Sequence, residues 1–260
     1  MGGDIAVEVL AALCGFAFLA GFIDSIVGGG GLILVPALFV LLPGVPAATL
    51  LGTNKATSVW GTAAATAQYM RRVPMEWRAT LPAVGAAVLF SFLGARTVAH
   101  IPSDFMRPLV LAMLVAVLVY TLWKKDLGSL HAPRLSPAQQ LWAGLLLGTV
   151  MGFYDGFFGP GTGSFLIFAF VGLFGFSFLA ASASAKLVNL MTNAAAFAWF
   201  ALHGHVLYKV ALAMAACNVA GSLIGSHLAI RKGSGFVRIL FIVVVCALLA
   251  RLAWDYLAAD

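Results

Sequence analysis

Charge is what this sequence has least of. Asp, Glu, Lys and Arg together make up 9% of its 260 residues, where an ordinary soluble domain carries roughly 25%. With 62% hydrophobic residues and a mean hydropathy of +1.03, nothing is left over for a sizeable extramembrane domain. Cysteines number only three. Cys14, Cys217 and Cys246 each stand alone in an apolar run with no CxxC spacing, which excludes a disulfide framework and reads as core packing. Lys and Arg are missing from the first residues, where Asp4 and Glu8 stand instead, so no cleavable signal peptide is expected. The formal net charge of +6 is no nucleic-acid footprint, because the basic residues sit in short loops between apolar runs, as in cytoplasm-facing loops. What the sequence does have is length in apolar runs. At ~20 residues per span it could cross a bilayer roughly eight to ten times. The expectation is an all-α, multi-pass membrane protein that partners lipid and needs no cofactor or nucleic acid.

The chain also repeats itself. Gly21-Phe22-Ile23-Asp24 recurs as Gly152-Phe153-Tyr154-Asp155, an offset of 131 residues. The same register places Gly28 on Gly159, Gly30 on Gly161, Lys55 on Lys186, Gly94 on Gly225, Arg107 on Arg238 and Trp123 on Trp254. A glycine-rich chain matches glycines by chance, but rarely both intramembrane Asp and both intramembrane Lys in one register. Two homologous transmembrane repeats are expected, 1–127 and 138–260, joined by a polar cytoplasmic linker at 128–137.

Apolar runs fall at about 5–26, 31–42, 46–70, 78–99 and 104–124, then at 138–157, 163–175, 178–202, 207–230 and 235–258. The runs at 31–42 and 163–175 are short for a crossing. Each follows a glycine cluster, Gly28-Gly29-Gly30-Gly31 or Gly159-Pro160-Gly161-Thr162-Gly163. Such residues release backbone groups that hydrocarbon cannot satisfy, so the break must be buried in protein or line a watery cavity. Each repeat therefore reads as a Gly-broken helical hairpin, re-entrant or spanning twice, plus three transmembrane helices. Either form of hairpin makes no net crossing, so three further helices invert the second repeat. That arrangement puts nine basic residues on the cytoplasmic face and four on the other, in the sense of the positive-inside rule.

Two lysines remain, Lys55 and Lys186, each about nine residues into an apolar run. A lysine at mid-bilayer costs ~2.5–3.5 kcal/mol on insertion scales, so it needs a partner, water or neutralisation. Snorkelling does not reach from that depth, which leaves a structural bridge to Asp24 or Asp155, or a functional site. The neighbours favour an anion site. Lys186, Asn189 and Asn193 share a helix face, as do Lys55, Ser58 and Thr62, and Thr53, Asn54 and Ser184 lie beside them. This is positive charge with hydroxyl and amide donors and no carboxylate. Hydrogen bonding between helices is the alternative for the hydroxyls and amides. Gly30, Gly31, Gly161 and Gly163 add half-helix N-termini whose N–H groups point inward. Broken helices at matching positions of two inverted halves are the best sequence pointer to a transporter site. Asp24 and Asp155 precede each break and could cap backbone, pair with a lysine or carry a proton.

The run from Gly21 through Gly28-Gly29-Gly30-Gly31 to Ile33, followed by Gly52-Thr53-Asn54-Lys55, resembles the TauE/SafE family of membrane transporters. The second glycine motif, 152–163, resembles the family's equivalent, and the resemblance covers nearly the whole chain. It implies passage of a sulfur-containing oxyanion such as sulfite, sulfoacetate or a related organosulfonate, usually as export across the bacterial inner membrane. Ala183-Ser184-Ala185-Lys186 departs from the Gly-Thr-Asn-Lys form, so the two half-sites are unequal. The expectation is a secondary transporter, not an enzyme, working by alternating access on a small anionic substrate; it could form a homo-oligomer. An anion channel is the main rival, and a membrane-embedded enzyme or accessory subunit is the rival from another class.

Overall fold

The computed structural model describes residues 6–102 and 132–257, with positions 105, 109 and 112 between them, and side chains as far as Lys232. The apolar run at 104–124 and the linker up to residue 131 otherwise lie outside the described residues. Eight helices appear among them: α1 (Val7–Val27), α2 (Gly31–Leu41), α3 (Ala47–Arg72), α4 (Trp77–Ala99), α5 (Pro137–Phe157), α6 (Thr162–Gly172), α7 (Phe178–Leu202) and α8 (Tyr208–Leu257). Their ends follow local chemistry. Gly28 closes α1 in the left-handed region at φ +78, and Gly161 opens α6 at φ +84, conformations that glycine adopts without a Cβ clash. Ser136 and Gln139 form a reciprocal capping box at α5, and the Ser177 hydroxyl accepts from the Ala180 N–H at α7, each satisfying an otherwise orphaned donor.

The starts of α2 and α6, of α3 and α7, and of α4 and α8 are each 131 residues apart. At 1.5 Å per residue, α2 and α6 rise about 16 Å, half of a ~30 Å hydrocarbon core. The last helix departs from expectation. Separate runs at 207–230 and 235–258 were expected, yet helix runs unbroken for 50 residues from Tyr208 to Leu257. Gly233 and Gly235 lower helix propensity without stopping the hydrogen-bond ladder, and no proline intervenes. The membrane-length apolar part is Tyr208–Lys232.

Two seams of small residues dominate the packing. Gly144, Gly148, Gly152 and Gly156 of α5 meet Ala79, Ala83, Ala87 and Ser91 of α4 so closely that an added Cβ would strike the facing backbone. On the other side Gly21 of α1 meets Asn218 of α8, and Gly221 and Gly225 meet Phe18 and Phe22. Small residues at four-residue spacing bring helix axes close enough to gain dispersion contact in lipid, where no hydrophobic force joins helices. Numbers rise together along each seam, so both pairs are parallel. The contact Gly152–Ala87 becomes Gly21–Asn218 when 131 is subtracted from one number and added to the other.

The consequence is two interlocked bundles. One holds α1, α2, α3 and α8; the other holds α5, α6, α7 and α4. Each contains three helices from one part of the chain and a fourth from the other. They meet along α3 and α7, which run antiparallel: Thr49 and Thr53 near the start of α3 touch His205 and Leu207 just beyond the end of α7.

Candidate functional site

The two glycine breaks meet at the bundle interface. Ser164 donates from its backbone N–H to the Gly28 carbonyl at 2.6 Å, and from its hydroxyl to the Val27 carbonyl at 3.0 Å. A Cβ on Gly163 would lie 2.6 Å from the Gly28 Cα, and one on Gly31 would lie 3.0 Å from the Pro160 Cα. Tyrosines brace both breaks. The Tyr69 hydroxyl donates to the Ser25 carbonyl at 3.0 Å, and the Tyr154 hydroxyl to the Pro160 carbonyl at 2.7 Å.

Around this junction the four intramembrane charges form two pairs, each joining one bundle to the other. Lys55 Nζ lies 2.8 Å from Asp155 Oδ2, with the side chains 2% and 1% exposed. Lys186 Nζ lies 3.1 Å from Asp24 Oδ2, with exposures of 0% and 18%, and also donates to the Asp24 backbone carbonyl. Asp24 Oδ1 in turn accepts from the Gly30 N–H at 3.2 Å, at the start of α2. Asp24 is therefore both a cap for the broken helix and the counter-ion of Lys186. Of the alternatives left open for the two lysines, the structure shows the bridge to aspartate. Aspartates from the neighbouring helices turn toward both lysines, because an unpaired ammonium in a low-dielectric interior is far costlier than a paired one.

A small cavity of about 30 Å³ lies at the junction, room for about two water molecules. Among the residues singled out from sequence, Asn54, Lys55, Ser58, Asn189, Asn193, Gly30, Gly31, Gly161, Gly163, Asp24 and Asp155 all line it. Thr53, Ser184 and Lys186 do not. The Thr53 hydroxyl donates to the Thr49 carbonyl at 2.7 Å and accepts from the Leu207 N–H at 3.0 Å, so it joins α3 to the turn before α8. Ser184 is buried with its hydroxyl unpartnered. Lys186 is turned onto Asp24, which itself lines the cavity, so the carboxylate stands between this lysine and the cavity.

The remaining lining is amide-rich. Asn193 donates from Nδ2 to Asn189 Oδ1 at 3.4 Å, and Asn54 Oδ1 is buried with no protein partner. A buried amide oxygen left unmade costs ~1–3 kcal/mol, which a water or ligand in the cavity recovers. Sequence reading missed Asn218 of α8, which lines the same cavity and donates from Nδ2 to the Ala17 carbonyl at 2.8 Å. Its repeat mate is the apolar Ala87, so the repeat register conceals it. The available signal was an amide inside a run of small residues, Gly221, Ser222, Gly225 and Ser226.

The sulfite exporter TauE/SafE family matches residues 13–252 of this chain. Three bacterial relatives are similar over nearly full length, each described as a probable membrane transporter protein. One from Sinorhizobium sp is 39% identical, covering 97% of this chain and 95% of its own. One from Haemophilus influenzae is 36% identical, covering 97% of both. One from Escherichia coli K12 is 34% identical, covering 95% of this chain and 90% of its own. No solved structure gives a significant match.

Proposed function

The chain belongs to the sulfite exporter TauE/SafE family and is a multi-pass membrane transporter of the bacterial cell membrane, and on that premise we propose that it is a secondary transporter exporting a small sulfur-containing oxyanion by alternating access. The observation that carries this reading is the cavity where both broken helices, the Lys55–Asp155 pair and the amide side chains of Asn54, Asn189 and Asn193 converge. Sulfite, sulfoacetate and related organosulfonates present the compact triad of acceptor oxygens that an ammonium and several amide N–H groups can hold. Asn54, Asn189 and Asn193 donate to the anion, and Lys55 balances its charge.

Lys55, Lys186, Asp24 and Asp155 sum to zero charge. A bare anion entering this neutral cluster would bury an uncompensated negative charge, which a low-dielectric site disfavours strongly. Protonation of Asp155 releases Lys55 to the anion and restores neutrality, so anion and proton occupy the site together. Anion and proton then leave together in an electroneutral step, which the outward gradient of the anion itself must drive.

Inverted repeats fit this cycle. The shared 131-residue spacing of helix starts, the antiparallel α3 and α7, and the exchanged pairs Lys55–Asp155 and Lys186–Asp24 all support a two-fold relation in the membrane plane. The positive-inside count assigns the linker to the cytoplasm. Both ion pairs cross the bundle interface, so rocking one bundle on the other makes and breaks them.

Counterflow in proteoliposomes tests the proposal, with sulfite, sulfoacetate, methanesulfonate, sulfate and acetate as competing anions. Saturable exchange of a sulfonate or sulfite, lost in Asn54→Ala and Asn193→Ala, is the expected result. Absence of flux for every sulfur anion would overturn the substrate class, and non-saturating flux would indicate a channel.

A further inference from the structure

A second cavity, of about 480 Å³, opens where α4 and α7 end side by side. It is far larger than the central one and is lined by Phe92, Arg96, His100, Trp199, His203 and His205. The cationic and imidazole groups do not arrive there by one local accident. Arg96 and His100 come from α4, His203 caps α7, and His205 lies in the following turn, its Nδ1 3.5 Å from the Thr49 hydroxyl of α3.

The two C-cap histidines are held alike. His100 Nδ1 bonds the Arg96 carbonyl at 2.7 Å, and His203 Nδ1 bonds the Trp199 carbonyl at 2.8 Å. A carbonyl oxygen only accepts, so in each ring Nδ1 carries the hydrogen. In the neutral tautomer Nε2 is then a lone pair, which repels an oxyanion. It becomes a donor only when the ring takes up a second proton. Each ring sits at the C-terminal end of its helix, and His203 stacks on Trp199 with centroids 4.0 Å apart and planes at 13°.

We propose that this mouth is a second anion site, distinct from the central cavity, which takes a small oxyanion such as a sulfonate together with a proton from solution. Arg96 supplies the fixed charge. On binding, a solvent proton adds to the Nε2 lone pair of His203 or His100, and the new N–H donates to the anion. Phe92 and Trp199 contact an apolar tail of the ligand. The charged and titratable groups facing the site are Arg96 and His100 from α4 and His203 and His205 beyond α7; α3 contributes the uncharged Thr49. Among the described residues no carboxylate lines the cavity. The choice of ligand rests on the anion-transport reading.

Methanesulfonate stays ionised across the relevant range and is the probe. Calorimetric titration of the purified full chain, in buffers of different ionisation enthalpy, gives affinity and proton uptake together. Affinity is expected to be about tenfold higher near pH 6 than near pH 8, as one charge-assisted donor is gained. In an Asn193→Ala background, which disables the central cavity and its own proton uptake at Asp155, His100→Gln with His203→Gln should abolish the pH dependence and the proton uptake, each single variant should reduce them, and Arg96→Gln should weaken binding at both pH values. Asn193→Ala, altered only in the central cavity, should keep the proton-linked binding while losing flux. Proton-independent binding by the Asn193→Ala protein, or unchanged proton uptake when both histidines are replaced in that background, would overturn this second site. Proton-linked binding by the Asn193→Ala protein, with no sulfonate flux through the unmodified chain, would support it and refute the transport reading alone.

Discussion

Lys55 and Asp155 face each other across the bundle interface at 2.8 Å, and shifting both numbers by 131 in opposite senses gives Lys186 and Asp24. The relationship changes what a lysine variant reports. Lys55→Ala leaves Asp155 as an uncompensated buried charge, so it is expected to destabilise the fold by about 3–5 kcal/mol as well as stopping transport. Lys55→Met combined with Asp155→Leu should recover most of the stability while remaining inactive. Thermal unfolding in detergent checks both, and a single variant as stable as the parent would contradict the pairing.

Asp24 has two jobs that substitution can separate. Asp24→Asn keeps an oxygen for the Gly30 N–H but removes the counter-ion of Lys186. Asp24→Ala removes both. The alanine variant should be less stable than the asparagine variant by about 1 kcal/mol, the worth of a helix cap. Equal stabilities would mean that the backbone bond contributes nothing.

The junction of the two breaks leaves no room for side chains. Gly163→Ala puts a methyl 2.6 Å from the Gly28 Cα, whereas at Gly29 the nearest atom to an added Cβ is 3.6 Å away. Gly163→Ala should fail to give monodisperse protein on size exclusion, and Gly29→Ala should elute normally. Normal elution of both would show that the breaks are not packed back to back.

Orientation can be read by thiol labelling. Glu76 and Gly204 sit just outside opposite ends of the α4–α7 pair. In a chain with Cys14, Cys217 and Cys246 replaced by alanine, Glu76→Cys should react from the cytoplasmic side and Gly204→Cys only from the other. Reaction of both from one side would reject the membrane orientation assigned by the basic loops.

Most helix limits were legible from apolar runs and their punctuation. The run expected at 31–42 forms helix at Gly31–Leu41, and that at 178–202 forms Phe178–Leu202, because glycine clusters, Pro46 and Ser177 mark the ends chemically. Partners were less legible. Spacing shows that Lys186, Asn189 and Asn193 share a face, but not that the lysine bends onto Asp24 while the two amides reach the cavity. Nor does it choose among the roles open to the two aspartates or say which lysine each meets, since helix–helix rotation is set by packing between distant segments. Continuity across 231–234 was hidden for a different reason: a basic pair before a glycine looks like a loop, yet glycine tolerates helix when no proline follows.

The exchange of α4 and α8 between bundles bears on how the protein is made. When α4 leaves the ribosome, its mate α5 has not been synthesised, and the alanine and serine ladder from Ala79 to Ser91 has nothing to receive it. The face of α1 that carries Phe18, Gly21 and Phe22 waits longer still, until Asn218 and Gly221 arrive near the end of translation. Neither repeat can complete its own bundle, so insertion and assembly become separate events, and a nascent chain halted at the linker exposes two unsatisfied seams to the lipid.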